Sequence, residues 1–324
     1  MKVLVTGASG MLGGAVAALM VGRSYSVRTF QRRGSRVAGA QDVFGDLTDP
    51  AAVEQAVAGV DGIIHLAAKV SFSGEENEFH RVNVLGTASL LEAARAAGAQ
   101  RFIYVSSPSV AHVGRSLAGA GAEPADPHGA RGAYARTKAQ AERLALTADD
   151  GRMAVAAIRP HVVWGPGDTQ LVERVIARAH AGRLPLLSGG TAMVDTTYVD
   201  NAASAIAAAY ERIEHIRGLA LVVTNGEPRP IGELLARICA AGGAPEPRWS
   251  IPGWLGRAAG SVVETLWRRS TADGEPPMTR FLAEQLSTAH WFDQRRTREL
   301  LNWTPEVGLD EGFKRLAAHY GNTR

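Results

Sequence analysis

The start of the chain constrains its fold more than any other stretch. Val3-Leu4-Val5-Thr6 is a short apolar run, and Gly7-x-x-Gly10-x-x-Gly13 follows it directly, opening an Ala- and Leu-rich stretch at 11–22. A strand that turns on glycines into a helix is the first βα unit of a parallel sheet. Each glycine has a steric task. Gly7 permits the tight turn, Gly10 lets the backbone approach a pyrophosphate, and Gly13 lets the helix pack closely on the strand. The helix start then offers N–H groups and a partial positive charge to an anion. The spacing departs from the commoner Gly-x-Gly-x-x-Gly, but its place behind the first strand is the one a phosphate site needs.

The next 200 residues repeat that alternation. Short Val/Ile/Leu runs at 3–6, 27–30, 63–66, 102–106 and 155–159 are separated by Ala/Leu/Glu-rich stretches at 11–22, 51–59, 82–98 and 134–147. Continuous apolar strands between helices of this length predict parallel βαβ units with helices on both sheet faces. After Pro160 the character shifts toward Pro, Gly and Trp. With 324 residues, about two domains are expected. The reading is an α/β chain: a Rossmann-type doubly wound parallel sheet over 1–160, with a returning segment near 195–225. A smaller, mainly substrate-binding region covers 161–324.

Composition removes several function classes. Lys plus Arg number 35 against 32 Asp plus Glu, a net charge of +3, too small and too scattered to predict a nucleic-acid partner. Cys239 stands alone, so no intrachain disulfide or cysteine zinc cluster is available, which suits a reducing cytosol. No set of His and acidic residues has metal-ligand spacing, so no metal is expected. No run reaches the roughly 18 apolar residues of a membrane span, and the N-terminal run is too short for a signal peptide. The expected location is cytoplasmic.

Two further patterns carry chemistry. An Asp or Glu near the end of the second strand would hold the adenosine ribose and select NAD. Val27-Arg28-Thr29-Phe30-Gln31-Arg32-Arg33 has no carboxylate there and ends in two arginines, which suit the 2′-phosphate of NADP. The competing reading is a solvated loop. Further on, Tyr134-x-x-x-Lys138 places a phenol and an ammonium on one helix face. A tyrosine has an ordinary pKa near 10. A neighbouring ammonium and an oxidised nicotinamide ring would stabilise its phenolate. Phe102-Ile103-Tyr104-Val105-Ser106-Ser107 reads as a strand ending in two serines, at the sheet edge where α/β folds place their chemistry.

These pieces, with Gly45-Asp46-Leu47, His65-Leu66-Ala67-Ala68, Asn83-x-x-Gly86-Thr87 and Arg159-Pro160 in the same order, resemble the extended short-chain dehydrogenase/reductase family over essentially the whole chain. The resemblance implies that Tyr134 is the general acid/base, that Lys138 holds the nicotinamide ribose, and that Ser107 rather than Ser106 bonds the substrate oxygen. Gly7, Ser9, Gly10, Met11, Leu12 and Gly13 would bind the pyrophosphate, and Arg32, Arg33, Asp46 and Leu47 the adenosine end. Leu66, Ala67, Ala68, Pro160, Val162 and Val163 would complete the cofactor site, with NADP(H) preferred over NAD(H). Asn83 reads equally as an amide that fixes the adjoining helix and strand.

Within that family, Arg159-Pro160-His161-Val162-Val163-Trp164-Gly165-Pro166 and Asp195-Thr196-Thr197-Tyr198-Val199-Asp200-Asn201 look most like the 3β-hydroxysteroid dehydrogenase branch, which includes 2-alkyl-3-oxoalkanoate reductases. The resemblance implies oxidoreduction between a secondary alcohol and a ketone on a hydrophobic substrate. A 2-alkyl-3-oxo or 3-hydroxy long-chain acid is the first choice and a 3β-hydroxysteroid the second. The alternatives are a nucleotide-sugar epimerase/dehydratase, for which Val194 replaces a usual diphosphate-binding Arg, and a non-catalytic dinucleotide sensor.

His161 reads either as facing the nicotinamide or substrate or as a loop histidine. Arg174, Arg178 and Arg183 read as a solvated helix face. Apolar pairs at 254/255, 258/259, 262/263 and 266/267 predict a helix within 251–270. It would cap an apolar cleft as a lid, lie on a membrane surface as a peripheral contact, or pack on the second region. A homodimer is expected by analogy with the fold.

Overall fold

The computed structural model describes residues 1–71, 74–112, 114–267 and 280–321. Its centre is a seven-stranded parallel sheet. From one edge to the other, the strands are Ala220–Val223, Ala154–Pro160, Arg101–Val105, Gly62–His65, Lys2–Thr6, Ser26–Gln31 and Gln41–Phe44. Lys2–Thr6 lies between its two neighbours with Val5 opposite both Thr29 and Ile64. Val3, Leu4, Val5, Ile63, Ile64, Phe102 and Ile103 are all fully buried. Strands covered on both faces have no polar side to present, which is why they read as unbroken apolar runs.

Helices Met11–Gly22 and Val199–Glu211 cover one face, where Val16, Met20 and Ile206 meet Val3, Val5 and Ile64. Helices Pro50–Val57, Gly86–Ala96 and Gly132–Thr147 cover the other, where Val53, Leu90 and Ala141 meet Leu4, Ile63 and Phe102. The result is the doubly wound α/β sheet the sequence predicts. Edge strand Gln41–Phe44 does not stand out in the sequence. It is four residues long and only partly buried, so it lacks the apolar run that marks its neighbours.

Beyond the carboxyl ends of the strands sits a second core. Trp164 stacks on Phe313 at 4.4 Å between ring centres and meets Tyr198 edge-on at 5.4 Å, while Val172, Val175, Leu234 and Ile238 fill the space around them. A small four-stranded sheet (Arg229–Pro230, Met193–Val194, His290–Phe292, Leu117–Ala120) closes the side.

Helix Gly253–Trp267 occupies most of the stretch read as a lid, a membrane contact or a packing helix. Among its described side chains, Gly253, Gly256 and Gly260 are buried, whereas Trp254, Leu255, Ala258 and Ala259 are exposed. The glycines permit an approach too close for a side chain, since a Cβ on Gly256 would lie 2.9 Å from Leu187 Cδ2. Close packing on the glycine stripe therefore turns the pairs 254/255 and 258/259 outward. Residues 268–270 of the expected segment lie outside the described residues.

Two glycines of the first helix make opposite predictions. A Cβ on Gly13 would lie 2.3 Å from the Gly7 carbonyl oxygen, but one on Gly22 would meet nothing within 4 Å. In urea unfolding, Gly13→Ala should cost about 1–3 kcal/mol by overpacking. Gly22→Ala should be neutral or gain up to about 1 kcal/mol, because it removes chain entropy from the unfolded state.

Candidate active site

The glycine turn is built for an anion. Gly7 has φ +75°, and a Cβ there would sit 2.9 Å from the Ala67 amide nitrogen. Gly10 caps helix Met11–Gly22 without a side-chain bond, so the orphan N–H groups of the first turn stay available to a ligand. Ser9, Met11 and Leu12 flank that helix start.

The loop opposite is fixed by a directional chain of hydrogen bonds. Thr6 Oγ1 accepts from the Leu66 and Ala67 amides at 3.1 and 3.0 Å and donates to His65 Nδ1 at 2.7 Å. His65 Nε2 donates to Thr87 Oγ1 at 3.0 Å, which in turn donates to the Asn83 carbonyl at 2.6 Å. Each proton has one place to go, so the imidazole is neutral. Burial pushes its pKa down to about 3. The Asn83 side chain accepts from the Lys69 amide at 2.7 Å and donates to the Lys69 carbonyl and to Thr137 Oγ1 at 3.2 and 3.1 Å. Here Asn83 holds the loop to the helix that carries Tyr134. The Thr6–His65–Thr87 relay is absent from the reading of the sequence, because its members sit on three separate elements.

At the adenosine end, Gln31 Nε2 bonds Thr29 Oγ1 and Asp42 Oδ1 at 2.9 and 3.2 Å. Arg32 and Arg33 lie beyond it, exposed, with Arg32 Nη1 3.9 Å from Asp46 Oδ2. Asp46 accepts from the Thr48 amide and hydroxyl at 2.9 and 2.7 Å, bonds that pull its pKa below the usual carboxylate range. Leu47 is buried beneath Gly86, where a Cβ would meet it at 2.8 Å.

Strand Arg101–Val105 delivers Ser106 and Ser107 to the sheet edge. Ser106 turns inward and Oγ has no protein partner. Ser107 Oγ accepts from the Ser109 amide and hydroxyl at 3.3 and 3.0 Å and lines the same cavity as Tyr134. Burial pushes the Tyr134 pKa up to about 12, and the nearby Ser107 hydroxyl opposes the rise.

Lys138, one turn on, is buried, donates from Nζ to the Val105 carbonyl at 2.6 Å and lies 4.2 Å over the Tyr104 ring. Burial pushes its pKa down to about 7, with Glu142 pulling the other way. Glu142 is a further turn along and takes both nitrogens of the Arg159 fork, Nε at 2.8 Å and Nη2 at 2.5 Å. Arg159 Nη1 also donates to the Glu123 carbonyl at 2.7 Å.

Ser107 and Tyr134 open into a cavity of about 290 Å3. Its lining is mostly apolar, with Val163, Val175, Leu234, Ile238, Leu286 and Phe313, and Gln170, Arg174, Arg178 and Gln285 add polar groups. His112, His161 and His290 line the end near Ser107 and Tyr134. Val162 and Val163 line the cavity directly behind Pro160, the last residue of its strand. Val162 holds φ +43°, a strained value for a β-branched residue.

His161 lines the cavity while its Nδ1 donates to the Asp195 carbonyl at 2.6 Å. Arg174 and Arg178 depart from the solvated-face expectation and flank the cavity; only Arg183 is exposed. Helix Val172–His180 buries Val172, Val175 and Ala179, which turns the two arginines along the cavity side. Gln285 and Leu286 of the next helix line the cavity, and among the described side chains of 253–267 none is found there. Among the described residues, no group of His, Cys, Asp and Glu is placed to hold a metal ion.

Residues 3–222 match the family described as the NAD dependent epimerase/dehydratase family. The chain is 42% identical to a 2-alkyl-3-oxoalkanoate reductase of Stenotrophomonas maltophilia (strain K279a), over 98% of this chain and 99% of that one. It is 30% identical to the decarboxylating sterol-4-alpha-carboxylate 3-dehydrogenase of Mus musculus, over 100% of this chain and 92% of that one. Among solved structures, gox2253 superposes with a TM-score of 0.79 at 25% identity, over 99% of this chain and 98% of that one. MoeE5 in complex with UDP-glucose and NAD shares the fold, with a TM-score of 0.76 at 23% identity over 100% and 99% of the two chains.

The buried Arg159–Glu142 pair gives a stability test. Arg159→Met leaves a carboxylate uncompensated in the interior and should cost about 3–5 kcal/mol in urea unfolding. Adding Glu142→Met should recover most of that loss, since the pair can be replaced by apolar side chains of similar volume.

Proposed function

The chain belongs to the NAD dependent epimerase/dehydratase family, and from that premise we propose that it interconverts a secondary alcohol and a ketone on a long-chain 2-alkyl-3-oxo or 3-hydroxy acid, with NADP(H) preferred. It is an NAD(P)-dependent oxidoreductase, as relatives named reductase and dehydrogenase along nearly its full length indicate. The observation that carries the substrate reading is the cavity: the hydroxyls of Ser107 and Tyr134 face a space whose lining is mostly aliphatic and aromatic. A 3β-hydroxysteroid is the second choice.

The residues present fit a nicotinamide dinucleotide. The Gly7–Gly13 cradle has no room for side chains at Gly7 and Gly13, and the uncapped helix start faces the same turn. When bound, the nicotinamide supplies or accepts the hydride.

The chain's own groups do the rest. In the reducing direction Ser107 and Tyr134 donate hydrogen bonds to the substrate oxygen, polarising the carbonyl. Tyr134 then gives its proton to the developing alkoxide. A phenol held near pKa 12 needs help to act in reverse as a base near neutrality. Lys138, within the same buried wall, supplies it when its ammonium faces the ribose and phenol. The cavity walls exclude water from that exchange.

For the cofactor, the absence of a carboxylate over 27–33 and the exposed Arg32 and Arg33 beyond Gln31 support the 2′-phosphate preference. Against a nucleotide-sugar substrate stands Val194, which lines the cavity where an arginine would serve a diphosphate. The retained Ser107, Tyr134 and Lys138 argue against a mere sensor.

The test is the initial rate of NADP⁺ reduction with a 2-alkyl-3-hydroxy fatty acid beside NAD⁺. The expected result is at least about tenfold higher kcat/KM with NADP⁺, worth about 1.4 kcal/mol, with that ratio falling in Arg32→Ala and Arg33→Ala. Tyr134→Phe should lower kcat about 10²–10⁴-fold while cofactor binding is kept. Unchanged turnover in that variant overturns the mechanism. No rate with either cofactor, in protein shown to bind one, overturns the substrate reading.

A further inference from the structure

Three histidines at the catalytic end of the cavity have no part in the mechanism above. His112 closes the turn Pro108–Ala111 that starts at Ser107, and its amide donates to the Ser109 carbonyl at 3.2 Å. His161 follows strand Ala154–Pro160, and His290 opens strand His290–Phe292 of the small sheet. All three are more than nine-tenths buried and line the same cavity as Ser107 and Tyr134. The His112 and His290 rings are 4.7 Å apart, and those of His161 and His290 6.0 Å.

Proton accounting shows what they present. His161 Nδ1 donates to the Asp195 carbonyl, so its Nε2 carries a lone pair. Thr288 gives its hydroxyl proton to the Glu284 carbonyl at 2.7 Å, so His290 Nε2, 3.3 Å from the same oxygen, must be the donor there. That leaves His290 Nδ1 a bare acceptor with no protein partner, and neither nitrogen of His112 has one. The charged groups facing the cluster are the Glu284 carboxylate, paired with Arg131 at 3.2 Å, and the buried Asp195, which accepts from Thr224 and the Gly226 and Glu227 amides. The neutral cluster thus presents three lone pairs and a single N–H, that of His112, a set that disfavours a bare anion. The lone pairs accept a proton that arrives with one.

In a 3-oxo acid the carboxyl carbon lies two bonds from the carbon that exchanges hydride. Any such acid seated on Ser107 and Tyr134 must place its carboxyl group against the nearby wall. We propose that His112, His161 and His290 form the carboxyl subsite, and that the substrate acid is bound there together with one proton taken from solvent, as a hydrogen-bonded imidazole–carboxyl pair. This rests on the 3-oxo acid reading above. The balance is simple: carboxylate plus neutral cluster plus H⁺ gives the bound pair, and release of the substrate returns the proton. Burial holds all three imidazoles below their ordinary pKa, His161 at about 4 and His290 at about 3. Near neutrality the free cluster is therefore unprotonated, the complex holds one more proton, and affinity weakens as pH rises.

The probe is a 2-alkyl-3-hydroxydecanoate titrated calorimetrically into the NADPH-bound protein, a pair that cannot turn over, in two buffers of different ionisation enthalpy. The expected result is uptake of about one proton and about a tenfold loss of affinity per pH unit between about pH 6.5 and 8. The matching secondary alcohol without a carboxyl should bind with no proton uptake. His290→Gln and His112→Asn should remove the uptake and lower the acid-to-alcohol ratio of kcat/KM about tenfold or more, mainly through KM.

Binding of the acid without proton uptake overturns the subsite and leaves the proposed function standing. So does uptake that persists in both variants and in His161→Gln, because the proton then goes to a group outside the cluster. Failure of the acid to bind or turn over at all overturns the proposed function and this inference together.

Discussion

The site depends on one buried ion pair. Tyr134, Lys138 and Glu142 form a single stripe on helix Gly132–Thr147, spaced one turn apart. Only Glu142 has a fixed ionic partner, the Arg159 fork on the adjoining strand. Two charge-assisted bonds in a planar fork define an orientation as well as a distance. They set the rotation of the helix about its axis, and with it the directions of Tyr134 and Lys138. They also fix the strand whose next residues, Pro160 to Val163, turn into the cavity. Breaking this contact would disturb the acid/base groups and the cavity wall together, even though neither Arg159 nor Glu142 faces the cavity.

Much of this was legible because it is local. The glycine turn, the apolar strands and the Tyr134–Lys138 spacing each follow from the backbone needs of a short segment. What escaped the sequence depends on contacts between segments. Gln41–Phe44 is a strand because Ser26–Gln31 offers it an edge, not because of its own pattern. Helix Gly253–Trp267 has an apolar stripe that points to burial, yet its glycine stripe wins the interface. Close backbone approach over Leu187 and Ser188 is available only to that face. Arg174 and Arg178 look solvated until the burial of Val172 and Val175 rolls them toward the cavity. The three histidines come from positions 112, 161 and 290, and no spacing rule joins them.

Local rules are broken where the chemistry sits. Val162 takes a left-handed conformation beside the cavity, where β-branched residues are disfavoured, and strain of this kind persists only when its surroundings over-determine it. Those surroundings are visible: the His161 amide donates to Val223, the Thr197 amide to the Val162 carbonyl, and the Thr197 hydroxyl to the carbonyls of His161 and Val223. Strands from the large sheet and from the second region thus hold the turn from both sides. The same bonds hold the His161 ring over the cavity.

The fold alone leaves the substrate open, since the same architecture carries nucleotide-sugars in MoeE5. What distinguishes this chain is how polarity is distributed within one cavity. A sugar diphosphate needs hydrogen-bond partners along its length, and leaving such groups unpaired against Val175, Leu234 and Phe313 would cost more than their burial returns. An alkyl chain reverses that balance, because each methylene moved onto the apolar wall gains about 0.8 kcal/mol. The polar groups near Ser107 and Tyr134 then have to serve only the short, oxygen-bearing end of the molecule. A cavity whose lining is mostly apolar selects a ligand whose surface is mostly apolar.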